Sequence, residues 1–162
     1  MKMITRALAL VLAVGMSANA WSAGEIELRN IVEKIEVFVN EDGEEERRLV
    51  PATSVVPGDE LRYTIFFSNV SADVTVDAGS VVITNPIPES TAYVGGSAFG
   101  AGTSIEFSVD GENWGDPDSL VIVEDAGERL AEPEDYTHVR WTLEPALEPG
   151  DEGSVFFRVK LL

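Results

Sequence analysis

The sequence predicts an all-β protein whose strands form an antiparallel sandwich in a single domain. Three observations support this prediction. Apolar and polar residues alternate along most of the chain, which is the spacing of strands with one buried face. Turn-forming pairs that contain Gly, Pro, Asn or Asp recur at short intervals between these stretches. No stretch between them has the spacing of a long helix, so the helical crossovers that connect parallel strands are not predicted.

Composition bounds the class of protein and its partners. The chain has 162 residues, with 11 Lys and Arg against 29 Asp and Glu, and no Cys. This length suits one domain, and 44% hydrophobic residues are enough for a core. A formal charge of -18 would be repelled by phosphate backbones and anionic lipids, which argues against nucleic-acid and membrane-surface partners. The lack of Cys excludes disulfides, a thiol nucleophile and a thiolate zinc site.

Residues 1–20 have the layout of a secretory signal peptide. Lys2 and Arg6 precede an apolar run at 7–16, and Ala18-Asn19-Ala20 provides a small-x-small cleavage site. A membrane anchor is the alternative, but a spanning helix needs about 20 apolar residues and this run is shorter. We therefore expect export to the periplasm or the medium, with no membrane span after cleavage. Losing Lys2 and Arg6 takes the charge from -18 to -20.

The first elements of the exported chain are predicted to be an edge strand and a hairpin. Residues 21–33 fit an N-terminal extension or edge strand, and a helix over 24–34 is the alternative. Residues 35–39 follow the alternating pattern of a strand. The acidic run 41–46 is expected to form an exposed turn, because its carboxylates repel one another. Residues 47–50 return as the second arm.

The remaining elements make up most of the sandwich domain, predicted to cover 34–162. The strongest strand prediction is 60–69, where four apolar residues at 61, 63, 65 and 67 alternate with Arg62, Thr64, Phe66 and Ser68. Pro-Gly-Asp precedes this strand at 57–59 and the final strand, 154–161, at 149–151; proline fixes φ and glycine supplies positive φ, which suits a tight turn. The other predicted strands are 74–76, 80–84, 92–94, 104–109, 120–123 and 138–143.

Several segments, in order, resemble one family of surface repeats. They are VPGDELRYTI at 56–65, Asn69, VITNPIP at 82–88, TAYV at 91–94 with Gly96-Ser97, VRWTL at 139–143, and LEPGD at 147–151 with VFFRV at 155–159. Together they resemble the DUF11 conserved repeat domain of bacterial and archaeal surface proteins, over about residues 33–161. The resemblance implies an immunoglobulin-like β-sandwich with a structural or adhesive role and no catalytic residues.

The acidic loop at 110–118 is the candidate metal site. Calcium takes six to eight oxygen ligands, which Asp-rich loops supply. The candidate ligands are Asp110, Glu112, Asp116 and Asp118. The spacing differs from the alternating Asp pattern of known calcium loops, and Pro117 restricts the backbone, so a solvated hairpin loop is the alternative. No other cofactor is predicted.

The sequence predicts no enzyme. His138, the only histidine, falls in a predicted strand on the face opposite Val139 and Trp141, where we expect it to be a surface residue. Motifs of serine hydrolases, phosphate loops and zinc proteases do not occur. Trp114 is expected to be an exposed aromatic residue that can anchor a partner.

These observations favour an exported, non-enzymatic module with a structural or protein-interaction role at the cell envelope. Its expected partner is an envelope or extracellular protein. Two alternatives remain open. One is a calcium-dependent binding module that uses the 110–118 loop. The other is a subunit of a surface polymer that self-associates through residues 21–33, because an extended segment can add a strand to a neighbour's sheet.

Overall fold

The computed structural model describes residues 25–125 and 127–162 and has a β-sandwich fold. Its strands are β1 (Ile26–Val39), β2 (Glu45–Pro51), β3 (Glu60–Asn69), β4 (Val82–Pro86), β5 (Thr91–Tyr93), β6 (Phe99–Gly100), β7 (Thr103–Ser108), β8 (Val121–Glu124), β9 (Gly127–Leu130), β10 (His138–Leu143) and β11 (Glu152–Leu161). Short 3-10 turns cover Pro117–Ser119 and Pro133–Asp135. The predicted signal peptide, 1–20, lies outside the described residues. Within them, no helix is long and apolar enough to cross a membrane.

Two antiparallel sheets form the sandwich, as the alternating pattern predicts. The large sheet has the order β2-β1-β3-β11-β5, with β6 also paired to β11. The small sheet has the order β4-β10-β7, and β8 with β9 forms a separate hairpin. Every pairing is antiparallel. The all-β, antiparallel prediction is therefore confirmed.

The core lies between the two sheets. Val155, Phe157 and Val159 of β11 and Val139 and Trp141 of β10 have no exposed area, and they alternate with outward-facing residues in both strands. The rings of Trp141 and Phe157 join the sheets, with their centroids 6.0 Å apart. Burial of side chains of this size contributes roughly 1.5–3 kcal/mol each, so these strands supply much of the stability.

Both Pro-Gly-Asp segments form the same turn, as predicted. Gly58 and Gly150 have φ values of 94° and 86°, which a residue with a Cβ adopts only at a cost. The carboxylate of Asp59 accepts the Val56 N–H at 2.8 Å. The second turn repeats this bond, with an Asp151 carboxylate oxygen 2.9 Å from the amide nitrogen three residues earlier. Each aspartate therefore closes its own turn and fixes where β3 and β11 begin.

The N-terminal boundary and three short segments differ from the prediction. β1 is continuous from residue 26 to 39, so the predicted domain boundary between 33 and 34 falls inside a strand, and the helix alternative over 24–34 is wrong. Residues 74–76 form a single bridge, Val76 to Leu147, instead of a strand. The Asn69 amide holds this segment, donating to the Val74 and Leu147 carbonyls at 2.8 and 2.9 Å. β6 and β9 were not predicted, because β6 has two residues and β9 is exposed along its length.

Candidate functional site

The predicted calcium loop is organised by its own hydrogen bonds. Asp110 follows β7, and one of its carboxylate oxygens accepts the backbone N–H groups of Glu112 and Asn113, each at 2.8 Å. The same oxygen accepts the Ser108 hydroxyl at 3.0 Å, and the second oxygen accepts the Asn113 side-chain amide at 2.6 Å. Hydrogen bonds from Asn113 and Glu112 hold the pKa of Asp110 well below its ordinary value of 3.8. Asp110 therefore acts as the cap of the loop.

The four predicted calcium ligands do not form a cluster. Asp116 precedes the 3-10 turn and Asp118 lies inside it, both exposed, as is Glu112. Across residues 25–125 and 127–162, no group of three or more His, Cys, Asp or Glu side chains is arranged to hold a metal ion. The loop thus presents no preformed site in this structure. Calcium binding at these residues stays a prediction for titration.

Trp114 packs against the small sheet and is only partly exposed, so the expectation of an exposed anchor is wrong. The Arg140 guanidinium lies 4.2 Å from the centre of the Trp114 ring, and the Trp114 and His138 rings form a T-shaped pair with centroids 6.1 Å apart. Arg140 also pairs with Glu106 at 2.8 Å. His138 is half-buried in β10, and its Nδ1 lies 2.9 Å from the Thr137 hydroxyl. These side chains satisfy one another on the surface of the small sheet.

The large sheet has a different outer surface. We call it the outer face: the residues of the large sheet that alternate with its core residues and point away from the small sheet. Residues that are register partners on neighbouring strands lie on the same face of a sheet. The register therefore shows which residues of β1, β2, β3, β6 and β11 belong to the outer face. Its apolar members are Ile31, Ile35, Val37, Val39, Leu49, Phe66, Phe99 and Phe156, and its basic members are Arg29, Arg47, Arg62, Arg158 and Lys160.

Arginine side chains lie over aromatic rings at two places on the outer face. The Arg29 guanidinium is 4.4 Å from the centre of the Phe66 ring, and that of Arg62 is 3.9 Å from the Phe156 ring. Phe99, which is 55% exposed, packs against Phe156 with ring centroids 5.4 Å apart. Arg62 Nε is buried and has no hydrogen-bond partner among the described residues. This arrangement combines apolar area with cations held in fixed positions.

Four of the five basic side chains of the outer face make no ion pair among the described residues. Ion pairs form at Lys34, Arg48, Arg129, Arg140 and Arg158. Among the residues that the structure describes, the basic side chains without an ion pair are Arg29, Arg47, Arg62 and Lys160, and all of them lie on the outer face. The described cations without an ion pair are therefore concentrated on one surface of a chain that has 29 acidic residues.

A shallow cavity of about 500 Å³ opens on one end of the outer face. Arg29 and Phe66 line it, together with Glu27, Glu152 and Ser154. Gly153 allows the Phe67 ring to pack directly against the backbone of β11, because a Cβ at position 153 would lie 2.5 Å from that ring. The cavity offers an aromatic wall, a cation and two carboxylates to a side chain of a partner.

The sequence contained a signal for this surface that the prediction did not use. Phe66, Phe156 and Ile31 occupy positions where a half-exposed strand ordinarily carries polar residues. An apolar residue in the outward phase of an otherwise alternating strand marks an exposed apolar surface. The cation stacking depends on neighbours in other strands and could not be read from the chain alone.

Comparisons with protein-family models, curated proteins and solved structures find no match for this chain. The resemblance to the DUF11 repeat therefore stays a prediction, and the outer face must be interpreted from its own chemistry.

Proposed function

We propose that the protein is an exported, non-enzymatic interaction module with a structural role at the cell envelope, and that it binds a partner protein through the outer face. The observation that carries this proposal is the collection, on one sheet surface, of aromatic rings that are at least partly exposed and of cations that make no ion pair among the described residues. Residues 1–20 support export through their signal-peptide pattern.

The composition of the outer face matches that of protein interfaces. Aromatic residues and arginine are enriched at binding hot spots, where they supply large apolar contact areas and directed hydrogen bonds. Arg62 is held on the Phe156 ring before any partner arrives, which lowers the conformational entropy lost on binding. The flat sheet surface suits a protein better than a small molecule, because small ligands favour enclosed pockets.

The charges indicate the chemistry of the partner. Arg29, Arg47, Arg62 and Lys160 make no ion pair with a carboxylate among the residues that the structure describes. A partner that presents carboxylates among apolar side chains would supply them. An acidic, strongly charged partner would nevertheless be repelled by the rest of this molecule, whose exported form carries a charge of -20. We infer a partner surface that is mainly apolar, with a few well-placed acidic residues.

Affinity capture with matched variants tests this function. The exported chain is immobilised and exposed to solubilised envelope proteins from the same cells. The outer-face variant is Arg62→Glu with Phe156→Ser, and the control is Val82→Ser, which removes an apolar side chain that is 51% exposed on the small sheet. We expect the wild type and the control to retain the same partner and the outer-face variant to lose it. Retention by all three would overturn the assignment of the outer face.

The export part of the proposal has a separate test. Cell fractionation followed by N-terminal sequencing should find a mature chain that begins at Trp21, in the periplasm or the medium. An intact Met1 terminus in the cytoplasmic fraction would contradict export. The two tests are independent, so failure of one leaves the other interpretable.

A further inference from the structure

The N-terminal half of β1 forms an open edge of the large sheet. β1 pairs with β3 from residue 26 to 35. On its other side it pairs with β2 only from residue 33 to 39, because β2 ends at Pro51, opposite Glu33. Residues 26–32 therefore have a partner strand on one side alone among the described residues.

The direction of the backbone groups along this edge follows from the register. The Val70 N–H donates to the Glu25 carbonyl at 2.9 Å, so Glu25 directs its carbonyl toward the strand that contains β3. Direction alternates along an antiparallel strand, so residues 27, 29 and 31 also point toward β3 and the even-numbered residues point away. The backbone groups that point away belong to Ile26, Leu28, Asn30 and Val32.

The side chains along the edge add two further observations. Leu28 is 54% exposed although it lies on the core side of the sheet. Arg29, on the opposite side, makes no ion pair within the described residues, and Glu27 beside it makes none either. Natural proteins ordinarily protect an edge with these features from pairing.

We propose that two copies of the chain pair through this edge, antiparallel, with the Leu28 residues facing each other on a two-fold axis. In this register Leu28 and the partner's Leu28 exchange both backbone hydrogen bonds, and Ile26 pairs with the partner's Asn30 in the same way. In this register the residues with outward-pointing backbone groups pair with one another, so their N–H and C=O groups bond across the new ladder. The two large sheets become one continuous sheet.

The charges favour this register over its neighbours. Centring the pair on Leu28 places Glu27 opposite the partner's Arg29, and the symmetry repeats that ion pair. Shifting the centre to Arg29 would place the two arginines opposite each other. Shifting it to Asn30 would place Glu27 opposite the partner's Glu33. The Leu28 register pairs opposite charges and also buries the two exposed leucines against each other.

β2 does not obstruct the pairing. It ends opposite Glu33, and the paired segment in each copy runs from residue 26 to 30. The contact is small, so we expect a weak, concentration-dependent dimer. Each exported copy carries a charge of -20, so raising the salt concentration should strengthen the dimer by screening this repulsion. Binding of the outer face to a carboxylate-bearing partner should instead weaken with salt, which separates this association from the proposed function.

Disulfide trapping tests the register directly, because the chain contains no Cys. In the proposed dimer the Cα atoms of residue 28 in the two copies lie about 5.5 Å apart, so the cysteines of a Leu28→Cys variant are within the range of a disulfide. Val82→Cys is the matched control, since Val82 is exposed to nearly the same extent on the other sheet. Under mild oxidation we expect dimers of Leu28→Cys and few of Val82→Cys. Equal trapping of the two variants would overturn the register.

Charge reversal tests the ion pairs in the unmodified dimer. Sedimentation equilibrium should show that Arg29→Glu weakens dimerisation about tenfold or more, because it places like charges opposite each other twice. Combining it with Glu27→Arg restores opposite charges and should restore the dimer. A chain that stays monomeric up to millimolar concentration at high salt would overturn the proposal. A dimer whose dissociation constant is unchanged by Arg29→Glu would also overturn it.

Discussion

The small sheet and the outer face of the large sheet each carry an arginine stacked on an aromatic ring, but only the arginine of the small sheet also has a carboxylate partner among the described residues. Arg140 lies over Trp114 and pairs with Glu106 at 2.8 Å. Arg62 lies over Phe156 at a similar distance, but within residues 25–125 and 127–162 it makes no ion pair and its buried Nε has no hydrogen-bond partner. The difference indicates what the outer face lacks among these residues: a covering segment and a carboxylate for Arg62.

The origin of this difference lies in the loop after β7. Backbone hydrogen bonds between Phe107 and Gly115, at 3.0 and 3.1 Å, fold the loop back so that Trp114 covers Arg140. The outer face of the large sheet receives no such loop from the described residues. A satisfied surface contributes to the stability of the monomer, whereas an unsatisfied one gains its partners on association. Substitutions should therefore separate effects on stability from effects on binding.

The largest effect should come from comparing two adjacent residues of β11. Phe157 is fully buried against Trp141 and Tyr63, and Phe156 lies on the outer face. We expect Phe157→Ala to lower the free energy of unfolding by about 3–5 kcal/mol. Phe156→Ala should cost about 1 kcal/mol, because it removes mainly the contact with Arg62. Urea unfolding measures both, and equal losses would contradict the assignment of the two faces.

The two stacked arginines provide a smaller but more direct comparison. Arg140→Met removes the stacking and leaves Glu106 unpaired, so we expect a loss of about 1 kcal/mol in unfolding free energy. Arg62→Met also removes a buried donor that has no acceptor, which offsets the lost stacking, so its stability should change by less than about 0.5 kcal/mol. In affinity capture we expect Arg62→Met to retain less of the partner than Arg140→Met does. Equal losses of unfolding free energy would show that the carboxylate partner of Arg140 gives it no larger contribution to stability than Arg62 makes.

Much of the fold could be predicted from the sequence, because one buried face imposes a period of two. Residues 60–69 and 138–143 were predicted at their observed limits. The same reasoning failed at 74–76, where the apolar pattern is present but the Asn69 side chain takes the place of a ladder. It also placed a boundary inside β1, because the partner of residues 26–33 is β3, far along the chain.

The candidate site was less predictable, for a physical reason. An acidic loop is visible in the sequence, but whether its carboxylates face an ion or its own backbone depends on turn geometry; at Asp110 they face the backbone. The outer face brings together Arg29, Arg62, Phe66 and Phe156 from three strands. Only the register of β1, β3 and β11 makes these side chains neighbours.

The loop that covers the small sheet should depend on pH through Asp110. Hydrogen bonds lower the pKa of this carboxyl below 3.8 in the folded protein, so its stabilising contribution is present above pH 3.8 and is lost as the pH falls through the folded value. Asp110→Asn should therefore lower the melting temperature at pH 6, and its difference from the wild type should shrink below pH 3.8. A constant difference down to pH 2 would show that Asp110 does not hold the loop as a carboxylate.

The smallest expected effect is that of calcium on the same loop. Asp110 already accepts four hydrogen bonds, so an ion would have to displace donors of the loop before using its oxygens. We therefore expect the melting temperature to be equal in calcium and in chelator, whereas a ligand at a hundredfold excess over its Kd would stabilise the fold by about 2.7 kcal/mol. The Asp116→Asn and Asp118→Asn double variant is the control. A calcium-dependent rise that this variant abolishes would establish the loop as a binding site and would mean that it rearranges, uncovering Trp114 and Arg140.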